Sequence, residues 1–504
     1  DEWDLHGEAE IDEYKSSDVN KGSIKLSKTA QTWQGTDNVI SKYKVPVIPG
    51  KTYEITYKLY SESWPPPTIH VTGVYHSNSK RLFNDEGSYY SSSDVNDWEN
   101  NTLFLQIPND PDIKYVELKI SMLPKYGRNA NIWIDNIRIN KITIDRTFDL
   151  KNKQKFNGSL TRIDELGNIE IFKDGAWTPF FMFGIYTDKN RVDWNTYSEQ
   201  GFNTNMWASS SEAIKKGKNS QLYSNLQVGQ YIIDVDWLPK NKSEKLKHLE
   251  NTIDQIKNDG LMKDIIFYYI DNEFYDIPDQ LINVTNRLKK LDYDKNQERM
   301  HPIYMLNGAY GLARKYNDIV DVTGTYVALD RTDRSIVHNF TGLQINENQH
   351  LPAVIAQINR GVGLNFRPIL FGAIAKGAKG LGFWRDGGSG IDIEKAIWWN
   401  DFPNIVKEIK QMIPLIREPH FTDWTVECDN DNLIFGSRMY DHKGHLIIAN
   451  PSNKKIQANF TITDIQYQIS SVKDYFTDTA VGDVDNNVIT VTLNQYGSKV
   501  IRLD

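Results

Sequence analysis

The chain has 504 residues, 25% of them charged and 39% hydrophobic, with a formal net charge of −8. That length exceeds one ordinary domain, and an acidic balance without a basic stripe excludes the electrostatic footprint of a nucleic-acid binder. No apolar run approaches the ~20 residues of a membrane-spanning helix, and one cysteine, Cys428, excludes a disulfide framework or a cysteine-based metal site within the chain. The opening "DEWDLHGEAE" lacks the charged-then-apolar start of a signal peptide, which leaves a cytoplasmic protein or a mature exported chain. Aromatic residues reach 12%, with 13 Trp and 26 Tyr. Such a surplus fills cores, and it also suits stacking on the flat faces of sugar rings.

Residues 1–145 read as β. "GSIKLSK", "YEITYKLY", "TIHVTGVY", "TLFLQI", "YVELKISML" and "ANIWIDNIRIN" alternate apolar and polar with period two. Turn clusters such as "VIPGK" and "SWPPPT" separate them, the pattern of a β-sandwich. "VPVIPGKTYEITYKLY" followed by "ANIWIDNIRI" resembles the jelly-roll carbohydrate-binding modules appended to many glycosidases. The resemblance implies glycan binding, and also a structural calcium ion held by an acid on the last strand, which falls on Asp135. A plain spacer domain is the competing reading.

Residues 146–176 read as a linker and a small β piece, after which the pattern changes. Over 177–418, eight strand-like runs alternate with helical stretches: "PFFMFGIYT", "GFNTNMWAS", "GQYIIDVDW", "DIIFYYIDNE", "HPIYMLNG", "DIVDVTGTYV", "LPAVIAQIN" and "GLGFWRDGG". The clearest helices are "SEKLKHLENTIDQIKNDG", "PDQLINVTNRLKKLD" and "FRPILFGAIAKGAKG", the first starting on Ser243 as a cap and ending on Gly260. Eight β/α units predict a (β/α)8 TIM barrel. A doubly wound sheet is the alternative, but no glycine-rich phosphate loop opens any helix. Residues 419–504 return to strands and predict a C-terminal β-sandwich. The expected architecture is thus multidomain: N-terminal jelly-roll sandwich, central barrel, C-terminal sandwich.

A barrel carries its chemistry at the C-terminal ends of its strands. Strand four is expected to end on Asp271, Asn272 and Glu273, strand one at Tyr186, strand two at Trp207 and strand three at Asp234, Asp236 and Trp237. Strand five is expected to end at Asn307, strand six at Tyr326 with Asp330 beyond, strand seven at Gln357, and strand eight at Trp384, Arg385 and Asp386. Carboxylates ringed by aromatic residues are what glycosidic cleavage needs, one carboxyl to donate a proton and one to stay ionised. The Asn-Glu pair ending strand four resembles the large (β/α)8 clan of retaining glycoside hydrolases. The resemblance implies that Asn272 binds a hydroxyl beside the reacting carbon and that Glu273 is the general acid/base.

That clan places its nucleophilic Glu at the end of strand seven, where this chain has Gln357. The second carboxylate is therefore expected elsewhere. Asp386, framed by "FWRDGG", is the choice; Asp330, Asp236 and Glu347 are the reserves, and Asp271 is expected to face away from Glu273. Arg385 would keep Asp386 ionised. Bland readings stand beside these: Asp271 as a structural ion-pair partner, Asp386 as a cap of the "DGGSG" turn, His338 and His350 as loop residues without metal spacing. The expected sugar-binding set is Asp271, Asn272, Trp207, Asp236, Trp237, Tyr326, Gln357, Trp384 and Arg385. The expected activity is hydrolysis of a polysaccharide or oligosaccharide by a secreted, periplasmic or cell-surface enzyme, with inversion and without a catalytic cofactor. A glycan-binding protein on the same scaffold and a polysaccharide lyase are the alternatives.

Overall fold

A computed structural model describes residues 3–6, 9–17, 22–28, 38–48, 52–62, 68–78, 81–84, 88–91, 96–107, 113–123, 130–142, 155–186, 194–232, 242–272, 278–307, 320–328, 354–359, 366–384, 398–418, 424–430 and 432–504. Two compact units are found, one made mostly of Asp1–Ile144, the other of Asp145–Glu273, Leu281–Asn307 and Tyr316–Asp504.

In the first unit, period-two alternation sets the faces. Along Thr52–Ser61, Tyr53, Ile55, Tyr57 and Leu59 are buried while their neighbours are not. This strand lies between Trp98–Gln106 and Ala130–Ile142, and Ser23–Lys28 and Ala9–Asp12 complete a five-stranded antiparallel sheet. A second sheet is built on Tyr115–Leu123, flanked by Thr68–His76 and Asn38–Ser41. One apolar cluster takes Leu26, Leu59 and Ile134 from the first sheet and Val39, Val71 and Leu118 from the second. The two sheets therefore face each other as a sandwich.

In the second unit, eight parallel strands close into a barrel: β1 Met182–Tyr186, β2 Thr204–Ala208, β3 Tyr223–Gln227, β4 Ile265–Asn272, β5 Ile303–Asn307, β6 Val322–Ala328, β7 Val354–Asn359 and β8 Gly380–Trp384. β8 pairs back onto β1, Met182 with Gly380 through Tyr186 with Trp384. The interior is packed rather than hollow. Met182, Met206, Phe267, Tyr269, Tyr304, Leu306 and Val322 belong to one buried cluster. Two glycines make room for them: a Cβ on Gly184 would stand 2.6 Å from Met206 Cγ, and one on Gly324 would stand 2.5 Å from the Tyr304 hydroxyl oxygen.

Three strand boundaries differ from expectation. Strand three is Tyr223–Gln227, not "GQYIIDVDW"; Gly229–Tyr231 is a 3-10 turn. The reason is compositional. Ser224, Asn225 and Gln227 are polar yet buried in β3, so a reading by apolarity passes over them to the next apolar run. Strands six and seven run on to Ala328 and Asn359, two residues past Tyr326 and Gln357.

A four-stranded antiparallel sheet, Phe156–Asn157, Thr161–Ile163, Ile169–Lys173 and Ala176–Phe180, occupies the stretch expected as a linker with a small β piece. Phe156, Ile163, Ile169 and Ile171 join the barrel's interior cluster. The N–H groups of Ser159 and Thr161 donate to the carbonyls of Arg299 (2.8 Å) and Met300 (3.0 Å), just ahead of β5. This sheet therefore covers the N-terminal end of the barrel. Two further sheets after residue 424 share another apolar core, with Val426, Phe460 and Val491 from one and Leu446, Ile448 and Ile501 from the other. Arg438, fully buried, joins this sandwich to the barrel by donating to the carbonyl of Ile374 (3.2 Å), at the end of the helix Phe366–Ala375.

Candidate active site

Strand register decides which residues can meet at the C-terminal end of the barrel. Neighbours in register share a face, and alternate residues repeat it. Tyr186 continues the row of Met182 and Gly184, and Trp384 is its register partner. Asp271 continues the row of Phe267 and Tyr269, whose rings fill the barrel. Tyr326 continues the row of Val322 and Gly324, and Gln357 is level with it on one side and with Gly382 on the other. Tyr186, Asp271, Tyr326, Gln357 and Trp384 thus all lie at register positions near the C-terminal ends of their strands. Asn272 is the last residue of β4, in the alternate row, level with Asn307. Residues two apart along a strand share a face, so strand alternation does not support the expectation that Asp271 faces away from Glu273, which lies outside the described residues.

The best-defined part of the mouth is aromatic. The rings of Tyr186 and Trp207 stand 4.4 Å apart, centroid to centroid, at 66°. Both are partly exposed and pack on the interior cluster from above. β2 carries one extra residue between Asn205 and Ala208 relative to β3, a β-bulge. The side-chain oxygen of Asn205 accepts the backbone N–H of Trp207 at 2.9 Å.

Below the rings the lining is polar. Asn225 of β3 is fully buried, its amide nitrogen 3.7 Å from Met182 Sδ and its oxygen without a hydrogen-bond partner among the described residues. Gln227 turns its side-chain oxygen to the N–H of Gly229 at 2.9 Å, which fixes the sharp exit from β3. The 3-10 turn then presents Tyr231. Burial raises this phenol above its usual value, against hydrogen bonds with Thr252 and Gln230 that lower it. Neither Asn205 nor the buried polar residues of β3 were legible as site residues. The only signal was polarity inside "YSNLQ", which reads as a loop until the barrel is closed.

Of the other expected residues, Glu273, Asp386, Arg385, Asp236 and Trp237 lie outside the described residues, as do Asp234, Asp330, Glu347, His338 and His350. Asp135 lies in the N-terminal sandwich, at the bulge in Ala130–Ile142. One of its oxygens accepts the Ser17 N–H (2.8 Å), the Ser17 hydroxyl (2.7 Å) and the Ser16 hydroxyl (3.1 Å), and the other accepts the Asn136 N–H (2.7 Å). Burial raises its pKa, but the Ser17 and Asn136 donors outweigh burial and hold it below the usual carboxylate value. Calcium takes six to eight oxygens, and among the described residues no group of three or more acids and histidines stands together. Asp135 thus anchors the chain at Ser16 and Ser17 through hydrogen bonds.

No protein-family model matches the chain, and no curated protein matches its sequence. Among solved structures, it is similar to a noncanonic maltogenic α-amylase from Thermotoga neapolitana, at 11% identity over 64% of this chain and 98% of that one, with a TM-score of 0.43. It is also similar to the joined carbohydrate-binding and catalytic modules of a Clostridium thermocellum endo-1,4-β-D-xylanase complexed with xylohexaose, at 10% identity over 80% of this chain and 95% of that one, TM-score 0.31. A family 22 carbohydrate-binding module of a C. thermocellum protein matches at 16% identity over 28% of this chain and 85% of that one, TM-score 0.22. Identities and TM-scores this low assign no activity; the barrel and the sandwiches are read from this chain's own strand pairing.

Proposed function

We propose that the chain is a glycoside hydrolase that cleaves a polysaccharide at the C-terminal mouth of the barrel. The observation that carries this reading is the partly exposed Tyr186–Trp207 pair at the C-terminal ends of β1 and β2, with Asp271, Tyr326, Gln357 and Trp384 at register positions near the same ends of their strands. Aromatic faces hold sugar rings through their apolar C–H surfaces, while amides and acids bind the hydroxyls.

In the proposed reaction Glu273, protonated, gives its proton to the leaving glycosidic oxygen. Asp386, ionised, takes a proton from a water that attacks the anomeric carbon from the opposite face. The C–O bond to the leaving group breaks as the bond to water forms, with inversion. The N-terminal sandwich would hold the same polymer, and an exported location fits a polymeric substrate.

The test is product analysis against a polysaccharide panel. New reducing ends without ultraviolet absorbance support hydrolysis, and an unsaturated end supports a lyase. One observation favours a second reading, a glycan-binding barrel: the position of the retaining clan's strand-seven carboxylate holds an amide, Gln357. Binding without product would sustain that reading and refute hydrolysis.

A further inference from the structure

We propose that Asn205 is a positioning residue: by holding the β2 bulge open it turns Trp207 into the barrel mouth beside Tyr186, and the two rings form the platform on which one sugar ring of the substrate rests. The inference deepens the glycosidase reading and rests on it for the identity of the occupant.

Simple alternation would send Trp207 the other way. In β2, Thr204 is level with Gly184 and Met206 contacts Gly184's open side, so these two face the interior. Asn205 is level with Ile185 and lies near Gly217 of the outer helix Ser211–Asn219, so it faces outward. Without the bulge Trp207 would share the face of Asn205, under that helix. The extra residue breaks the alternation, and two successive side chains, Met206 and Trp207, come to one side.

A bulge leaves its extra residue outside the regular ladder. In β2 the Trp207 N–H is taken by Asn205 through its side-chain oxygen, at 2.9 Å. Asn205 is 1% exposed, and its amide nitrogen has no hydrogen-bond partner among the described residues. A buried amide bonded at one end only is a poor choice for packing alone. Its one bond is the one that sets the direction of Trp207. The resulting pair has one ring edge-on to the other at 4.4 Å, and both remain partly open at the mouth. A pyranose, with apolar C–H faces and equatorial hydroxyls, suits that geometry better than an anion or a peptide, since neither ring supplies charge.

The test uses the full chain labelled with 5-fluorotryptophan, the Trp207 resonance being assigned by Trp207→Phe. Asn205→Ala should shift that resonance in the free protein and leave the other tryptophan resonances in place. Asn205→Asp, which keeps the acceptor oxygen, should restore it. Maltohexaose, xylohexaose and cellohexaose are then titrated. With the one that binds, Trp207→Ala should weaken binding about tenfold or more and Asn205→Ala about threefold to tenfold, while adding Asn205→Ala to Trp207→Ala should change it less than about twofold. A Trp207 resonance unmoved by Asn205→Ala overturns the positioning role. A hexasaccharide that binds without moving Trp207 overturns the platform but not the glycosidase reading. Failure of all three to bind counts against both the platform and that reading, while the free-protein shift still decides Asn205.

Discussion

The two ends of the barrel are built from opposite materials. At the N-terminal end Phe156, Ile163, Ile169 and Ile171 seal the interior beside a buried hydrogen-bonded network. The fully buried His301 faces Asp292 through Nδ1 (2.9 Å) and the Met262 carbonyl through Nε2 (3.0 Å). Asp292 also accepts from the Tyr268 hydroxyl (2.9 Å) and the N–H of His301 (2.7 Å). At the C-terminal end the rings of Tyr186 and Trp207 are partly exposed, and Asp271, Gln357 and Trp384 lie at or near the ends of their strands. Among the described residues, the sealed end holds a buried His301–Asp292–Tyr268 network, and the other end holds the partly exposed Tyr186–Trp207 pair. If the proposed chemistry holds, stability and chemistry are divided along the strand direction.

The sharpest way to break that comparison is a swap of consequences. At the mouth, Glu273→Gln should cost about 10²–10⁴ in turnover on the polysaccharide that the panel identifies, because the shape stays and the donated proton is lost. Its melting temperature should stay near the parent's. Near-full turnover would remove Glu273 from the mechanism. At the sealed end, Asp292→Ala should destabilise by about 3–5 kcal/mol, since it leaves His301 and the Tyr268 hydroxyl buried without their acceptor. Its folded fraction should keep the parent's kcat. A loss of kcat without loss of stability would mean that the two ends are not separate.

How far this division was legible in the sequence depends on what each residue rests against. β4 could be read because "IIFYYIDN" is apolar up to its end, so the switch to Asp271 and Asn272 marks the mouth without knowledge of any neighbour. β3 could not. Ser224, Asn225 and Gln227 are buried only because β2 and β4 flank them, and single-strand patterning contains no record of that. Trp207 was legible as a strand-end aromatic, but its direction depends on a one-residue mismatch with β3, a relation between two strands. Asp135 occupies its expected strand, but the partners its oxygens take, Ser16 and Ser17, lie more than a hundred residues earlier and could not be read from that strand.

Gly324 tests the comparison from the layer between the two ends. A methyl group there would stand 2.5 Å from the Tyr304 hydroxyl oxygen and 2.7 Å from its Cε2. The ring is buried against Phe267 and Tyr269 and has little room to yield. Gly324→Ala should therefore destabilise by about 1–3 kcal/mol through overpacking. If stability and chemistry divide as proposed, urea unfolding registers that loss while KM stays within about twofold. A large rise in KM with unchanged stability would show that the interior transmits shape to the mouth.

The smallest effect expected is on pH, and it belongs to neither end. In the C-terminal sandwich, burial lowers the pKa of His445 to about 4, with Arg502 adding to the shift and the Lys443 carbonyl opposing it. The ring is held neutral among Tyr440 and Tyr475, its Nδ1 2.9 Å from the Lys443 carbonyl oxygen. The unfolded chain would protonate this histidine near the ordinary value of 6.5, the folded chain only near 4. Between these values the unfolded state binds the extra proton. The stability His445 contributes is thus whole above pH 6.5 and falls with pH through that window, at a slope on the order of 1 kcal/mol per pH unit. Asp12, lowered chiefly by the Trp133 indole N–H, and Asp135, lowered by its serine donors, lose their contributions in a separate window, as pH falls below the ordinary carboxylate value of 3.8. Chemical unfolding at a series of pH values should therefore show a decline beginning near neutrality, and His445→Gln should flatten the part above pH 4. An unchanged slope in that variant would mean that the acid sensitivity lies in the barrel, and the flank would then have to share its role with the sealed end.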